Sequence, residues 1–268
     1  MLTLLRQQID PATVARDSLA TRPGLLRRAA DRARWEWNEL RAPSRETFIQ
    51  EELDHALLEE VDWCTGERVL DVGCARGRYM TAIARKGACP LGVDISPRLV
   101  ADARAAGHQA FIASGERLPV ADATIDTVLC HKTLYLFRQP WVAVREFGRV
   151  LKPGGRVIFS TSNQASPYSR IQAVMLARYS PSNWSIGNRW SVTDWCRAFA
   201  RAGLATRSIY SCNLIWPLVY RVCDHWLIPN EWMRRYNRWV RRKTGIPLKT
   251  TYALGAAQDY LVEVVKRI

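Results

Sequence analysis

From about residue 68 onward the apolar positions fall into two alternating patterns. Short runs rich in Val, Ile and Leu at 69–72, 91–94, 109–113, 127–130, 156–160 and 205–210 have the length and branching of strands. Between them, 79–85 has helical spacing, and the stretch opening at Ser96-Pro97, 141–151 and 190–204 read as helices. Ser96 can cap its helix and Pro97 suits the first turn; Ser191 or Thr193 can cap the later one. Strand alternating with helix predicts an α/β fold, a mostly parallel sheet with helices on both faces. A last apolar run at 259–265 reads as a further strand. The first 60 residues read as helices instead. One spans 2–9 and stops at Pro11; another opens at Pro23, carries Arg27, Arg28, Arg32 and Arg34, and leads to Trp35 and Trp37. A third, acidic, spans 48–61 with apolar Phe48, Ile49, Leu53, Ala56 and Leu57. The expected organisation is an N-terminal helical cap at 1–60 and a core domain at 61–268, with 211–256 as a helical insertion before the last strand.

Chemistry enters at Arg68-Val-Leu-Asp-Val-Gly-Cys-Ala-Arg-Gly-Arg-Tyr79. A strand, a glycine turn and a helix in this order bring backbone N–H groups at a helix N-terminus to face a ligand, with side chains missing where it approaches. The second strand ends in Asp94, and an acid there is placed to take both hydroxyls of a ribose.

This stretch resembles the cofactor loop of class I S-adenosylmethionine-dependent methyltransferases of the small-molecule type. Asp71 stands before the glycines, as in that family and unlike the dehydrogenase pattern. Ala75 departs from it, occupying the place of the usual middle glycine. Three further blocks resemble the family in the right order. They are the end of the second strand, 114–130 (Ser-Gly-Glu-Arg-Leu-Pro-Val-Ala-Asp-Ala-Thr-Ile-Asp-Thr-Val-Leu-Cys), and Lys152-Pro-Gly-Gly155 before 156–160. The likeness covers roughly residues 65–163. It implies a Rossmann-like seven-stranded sheet whose final strand is antiparallel, and S-adenosylmethionine as cofactor with S-adenosylhomocysteine as product. By resemblance Asp71 meets the methionine ammonium, while Gly73, Cys74, Ala75 and Gly77 supply close backbone contact. Asp94 holds the ribose, Ile95 packs on adenine, and Ser114, Gly115 and Glu116 meet the adenine edge. In most relatives an acid stands where this chain has Ser114.

The fourth strand ends at the switch point where ligands bind in open α/β sheets, with His131 and Lys132 just beyond. His131 is the general-base candidate by type and position; the alternative is a residue whose carbonyl lines the cofactor site. Tyr135 is the second catalytic candidate. A carboxylate acceptor needs no base, and both residues would then only position it. His108 and His225 read as structural.

Composition changes the picture in three ways. Seven cysteines, with no CxxC pair or zinc spacing, read as small buried hydrophobes of a reducing compartment and predict no metal. No apolar run reaches the roughly 18 residues of a spanning helix, and 1–6 is too soon charged for a signal peptide, so the expected location is cytoplasmic. The net charge of +14 raises a nucleic-acid or membrane partner. No RNA-binding module or Asn-Pro-Pro-Tyr-type block is visible, so nucleic acid is disfavoured and an RNA methyltransferase stands as an alternative. A catalytically silent cofactor-binding scaffold is the other, motivated by Ala75 and Ser114.

Seven of the eleven tryptophans follow residue 180. Within the insertion, 230–243 projects as a helix with Trp232, Met233, Tyr236, Trp239 and Val240 on one face and five arginines opposite. This is read as a lid with Trp232, Tyr236 and Trp239 over a hydrophobic substrate, assisted by Trp35 and Trp37. The competing reading is a helix peripheral to an anionic membrane surface. Either way the expected acceptor is a hydrophobic, acidic or lipid-like small molecule, with O-methylation favoured.

Overall fold

The computed structural model describes residues 48–59, 61–162, 190–212, 235 and 259–267. In chain order the strands are β1 (Arg68–Val72), β2 (Cys89–Asp94), β3 (Ala110–Ile112), β4 (Ile125–Cys130), β5 (Leu151–Ser162), β6 (Leu204–Cys212) and β7 (Asp259–Lys266). The helices are α1 (Phe48–Glu59), α2 (Arg78–Arg85), α3 (Pro97–Ala105), α4 (Pro140–Val150) and α5 (Val192–Arg201). One seven-stranded sheet has the order β3-β2-β1-β4-β5-β7-β6. β1 to β5 pair in parallel, and β7 runs antiparallel to both β5 and β6. The Rossmann-like seven-stranded sheet and its reversed last strand are as expected.

β1 is buried from Val69 to Val72 because it lies mid-sheet with helices on both faces. Its residues alternate between two cores, as the strand period of two requires. Val69 faces Leu53, Ala56 and Leu57 of α1 and Ile83 of α2, together with Leu129, Ile158 and Leu261. Leu70 faces the other side, where Phe147 of α4 and Trp195 and Phe199 of α5 pack on Val128, Val157 and Phe159. Phe159 stacks on Phe199 at 4.7 Å between centroids. The compact unit that holds the sheet begins at Thr47, so α1, grouped by sequence with the N-terminal cap, packs with the sheet.

Local signals explain the element boundaries. Ser96 Oγ accepts from Leu99 N at 3.4 Å with Pro97 at the first helical position. Of the two cap candidates for α5 it is Ser191 that serves, exchanging reciprocal bonds with Asp194 in a capping box. The expected turn at 152–155 is absorbed into β5. Pairing with β4 jumps from Ile125↔Leu151 to Thr127↔Arg156, so the extra β5 residues form an irregularity in which Gly154 takes φ 75°.

Near the amino ends of β1 and β4 a charge network joins β4, β5, β7 and the segment that leads into β1. Arg156 donates to Thr127 Oγ1 at 2.9 Å, Asp62 O at 2.5 Å, Glu67 at 3.0 Å and Glu263 at 3.3 Å. Its guanidinium lies 5.8 Å from the centre of the Trp63 ring.

Helices 2–9 and 23–34, Trp35, Trp37, and the 230–243 helix with Trp232, Tyr236 and Trp239 fall outside the described residues, as does the insertion from 213 to 258 apart from Arg235. No helix among the described residues is long and apolar enough to cross a membrane. No cluster of three metal-ligating side chains occurs among them. Cys74 and Cys130 are buried as expected, whereas Cys64 and Cys89 are exposed; all are free thiols.

Candidate cofactor and acceptor site

The glycine loop sits between β1 and α2 and folds as it does because three of its residues adopt left-handed backbone. Gly73, Ala75 and Gly77 have φ of 85°, 46° and 80°. Gly73 is required twice over: besides its φ, a Cβ there would come within 2.3 Å of Thr133 Oγ1. The loop N–H groups are turned inward. Gly73 N and Cys74 N both donate to Val93 O, at 2.8 and 3.1 Å, and Ala75 N donates to Asp94 Oδ2 at 3.0 Å. The sequence pattern suggested N–H groups facing a ligand; instead these three staple the loop to the end of β2. A loop whose donors are so used suits the uncharged, close-packed part of a ligand better than a pyrophosphate.

Ala75 is the costly member, since a Cβ in this region is disfavoured by about 1–2 kcal/mol. It is tolerated because the Asp94 carboxylate holds its N–H. Ala75→Gly should raise stability by about 1 kcal/mol or less, after the entropy gained by the unfolded chain is subtracted. Thermal unfolding would show it, and cofactor affinity should not change because the N–H remains.

Three acids and bases from neighbouring strands meet at the carboxyl end of the sheet. Asp71 is 1 % exposed, and its Oδ2 has no hydrogen-bond partner among the described residues. Burial, reinforced by the Asp94 charge, pushes its carboxyl up to about 7. The same surroundings push the Cys74 thiol up, through burial first and then Asp71 and Asp94. Asp94 is held at the tip of β2 by two backbone donors, Ala75 N on Oδ2 and Ser96 N on Oδ1 at 2.9 Å. Each oxygen retains a second lone pair for a hydroxyl. Ile95 beside it is 67 % exposed, an apolar surface at the site's rim.

Ser114 and Glu116 shape their own turn. Ser114 Oγ accepts from Glu116 N at 3.2 Å, and Glu116 Oε1 accepts from Gln139 N at 2.8 Å, tying the turn to the start of α4. Gly115 between them is pressed by Phe137 and Val72, and a Cβ there would come within 2.5 Å of the Phe137 ring.

His131 is 8 % exposed, with Nδ1 3.2 Å from Ser160 Oγ and its ring centred 4.6 Å from that of Tyr79. Burial first, then the Lys132 and Arg78 charges, push the imidazole down to about 3, so it stays neutral. Its carbonyl accepts from Thr133 Oγ1 at 2.9 Å. Tyr135 is half-buried against the core in the short turn Leu134–Leu136.

Sequence reasoning missed the residues that hold this arrangement. Tyr79 OH donates to Asp54 Oδ1 at 2.7 Å and Arg78 Nη2 to Asp54 Oδ2 at 2.5 Å, tying α1 to the start of α2. Ser160 continues the strand alternation of Ile158, but no local pattern marks Asp54, whose partners are 24 and 25 residues away.

The family model for a methyltransferase domain matches residues 70–159, from β1 through the site to β5. That stretch is a methyltransferase domain. Among curated relatives, the domain and its flanks are 32% identical over 144 residues to a ubiquinone biosynthesis O-methyltransferase of Xanthomonas oryzae pv. oryzae, covering 51% of this chain and 56% of that protein. The chain thus spans about half the length of the curated relatives it matches. Among solved structures, it aligns with the Haloferax volcanii complex between the Trm112 methyltransferase activator and a methyltransferase, at TM-score 0.58 and 22% identity, covering 82% of this chain and 91% of that one. A Mesorhizobium loti S-adenosylmethionine-dependent methyltransferase aligns at TM-score 0.54 and 18% identity, over 79% of this chain and 96% of the other. These two likenesses show a fold shared with the methyltransferase domain.

Proposed function

We propose that this chain transfers a methyl group from S-adenosylmethionine to oxygen on a hydrophobic small molecule. The observation that carries the reading is the orphaned Oδ2 of buried Asp71 beneath a loop stapled to Asp94. A buried carboxylate oxygen with nothing to accept from is costly unless a ligand donor completes it, and the methionine ammonium has the right charge. The residues fit the cofactor: Asp71 for the ammonium, Gly73 to Gly77 for close approach, Asp94 for the ribose hydroxyls, exposed Ile95 for the adenine face. When bound, the cofactor supplies an electrophilic methyl group on a sulfonium that is already a good leaving group. The protein's own task is then to align the acceptor and keep out water.

His131 is suited to positioning. An imidazole held near 3 is far from the pH at which proton abstraction is efficient. Its contacts with Ser160 and Tyr79 fix the wall of the site instead. Oxygen and a hydrophobic acceptor are supported by relatives named ubiquinone biosynthesis O-methyltransferase. The 230–243 helix serves in this proposal as the lid, its contact with an anionic membrane being the competing role.

The deciding experiment is calorimetric titration of the purified protein with S-adenosylmethionine and S-adenosylhomocysteine. Binding of both in the micromolar range is expected. Failure of both to bind would reject the proposal.

A further inference from the structure

The segment after β4 holds a cation to which the cofactor gives no role. Lys132 stands between His131, whose ring packs on Tyr79, and Thr133, whose side chain fills the space where Gly73 would carry a Cβ. Both neighbours touch the stretch that follows β1, so the backbone of Lys132 runs beside the glycine loop.

Its backbone is strained, with φ 49° on a long side chain. Such strain costs about 1–3 kcal/mol and persists only where the surroundings over-determine it. Here the determinant is Ser160: fully buried, it accepts from Lys132 N at 2.8 Å while its oxygen also lies 3.2 Å from His131 Nδ1.

Lys132 is half-buried, and among the described residues it forms no ion pair. Other basic groups near the site are paired: Arg76 with Asp102 and Arg78 with Asp54. Lys132 lies close enough to His131 to depress the imidazole. One turn further on, Leu136 is 46 % exposed, so an apolar surface follows the cation.

We propose that Lys132 selects the acceptor by pairing with an anionic oxygen, carboxylate or phenolate, on an amphipathic molecule whose apolar body lies against Leu136. This deepens the methyltransferase reading and rests on it. It also answers a chemical need: an acceptor that arrives as an anion has no proton for His131 to remove. The alternatives for Lys132, a solvated surface lysine or a partner of Asp71, fit less well. The first does not account for the partial burial of Lys132 beside His131, and no Lys132 charge acts on Asp71 among the causes of its raised carboxyl.

The test uses wild type, Lys132→Met and Lys132→Arg, each saturated with S-adenosylhomocysteine and titrated calorimetrically with matched probes. Decanoate is compared with decanol, and 2,4-dinitrophenolate with 1,3-dinitrobenzene. Wild type is expected to bind at least one anion about tenfold or more tightly than its neutral partner. That preference should vanish in Lys132→Met and survive in Lys132→Arg. The decanoate arm reports a carboxylate acceptor, the dinitrophenolate arm a phenolate one. An anion preference equal in wild type and Lys132→Met, or none in wild type, overturns the proposal while retained S-adenosylhomocysteine binding leaves the methyltransferase reading standing. If wild type binds no S-adenosylhomocysteine, both fall together.

Discussion

Asp71→Asn should abolish measurable cofactor binding, a loss of at least about 100-fold, while making the ligand-free protein more stable above pH 7. The two effects share one cause. A carboxyl pushed up to about 7 by burial and by Asp94 binds a proton more tightly in the folded protein than in the unfolded chain, where its ordinary value is 3.8. The stability this group contributes is therefore fully present below about pH 4 and is lost as pH rises through 7. At pH 8 the cost of the buried charge approaches about 4 kcal/mol. Asparagine carries no charge, so its stability curve should cross that of wild type, lying above it on the alkaline side. The gain is reduced by about 1–3 kcal/mol if the amide is left without a partner.

A cationic ammonium at Oδ2 reverses the balance, because it favours the ionised carboxylate. Binding at pH 7 should release about half a proton, and affinity should fall up to about tenfold for each pH unit below 7. Calorimetry of S-adenosylhomocysteine in buffers of different ionisation heat would measure the release. A flat affinity from pH 5.5 to 8 would show that Asp71 does not meet the ammonium.

How much of this was legible depends on whether the signal was local. The apolar runs of β1 and β4, the Ser96-Pro97 start of α3 and the glycine loop are all written within a few residues, and each came out where expected. The antiparallel β7 was reached through resemblance, since nothing in residues 259–265 states a direction. What the chain did not disclose is pairing at long range. Asp54 meets Arg78 and Tyr79 across 24 and 25 positions, and Ser160 meets Lys132 and His131 across 28 and 29. Such contacts are set by how helices settle on the sheet. The inward turn of the loop N–H groups was hidden for a different reason. A glycine pattern specifies left-handed φ but not which carbonyl or carboxylate takes the freed donors.

The amino end of the sheet shows the same rule in energetic form. Arg156 exposes 15 % of its side chain, between carboxylates of Glu67 at 8 % and Glu263 at 13 %. Thr127 Oγ1 donates to the same Glu67, and Trp63 shields the guanidinium. Removing the arginine leaves two acids largely out of water with their main donor gone. Arg156→Met should therefore destabilise by about 3–5 kcal/mol. For a chain of this size that is a fall of about 6–20 °C in Tm. The desolvation argument, unlike a surface-pair argument, also predicts rescue. Glu67→Gln and Glu263→Gln on the Arg156→Met background take away the stranded charges and should restore more than half of the loss, a strongly non-additive result. If Arg156→Met costs under about 1 kcal/mol, the network behaves as a solvated surface pair. S-adenosylhomocysteine affinity should be unchanged in the rescued variant, because the network lies at the opposite ends of β1 and β4 from Asp71 and His131. A loss of affinity there would mean that the two ends of the sheet are coupled through these strands.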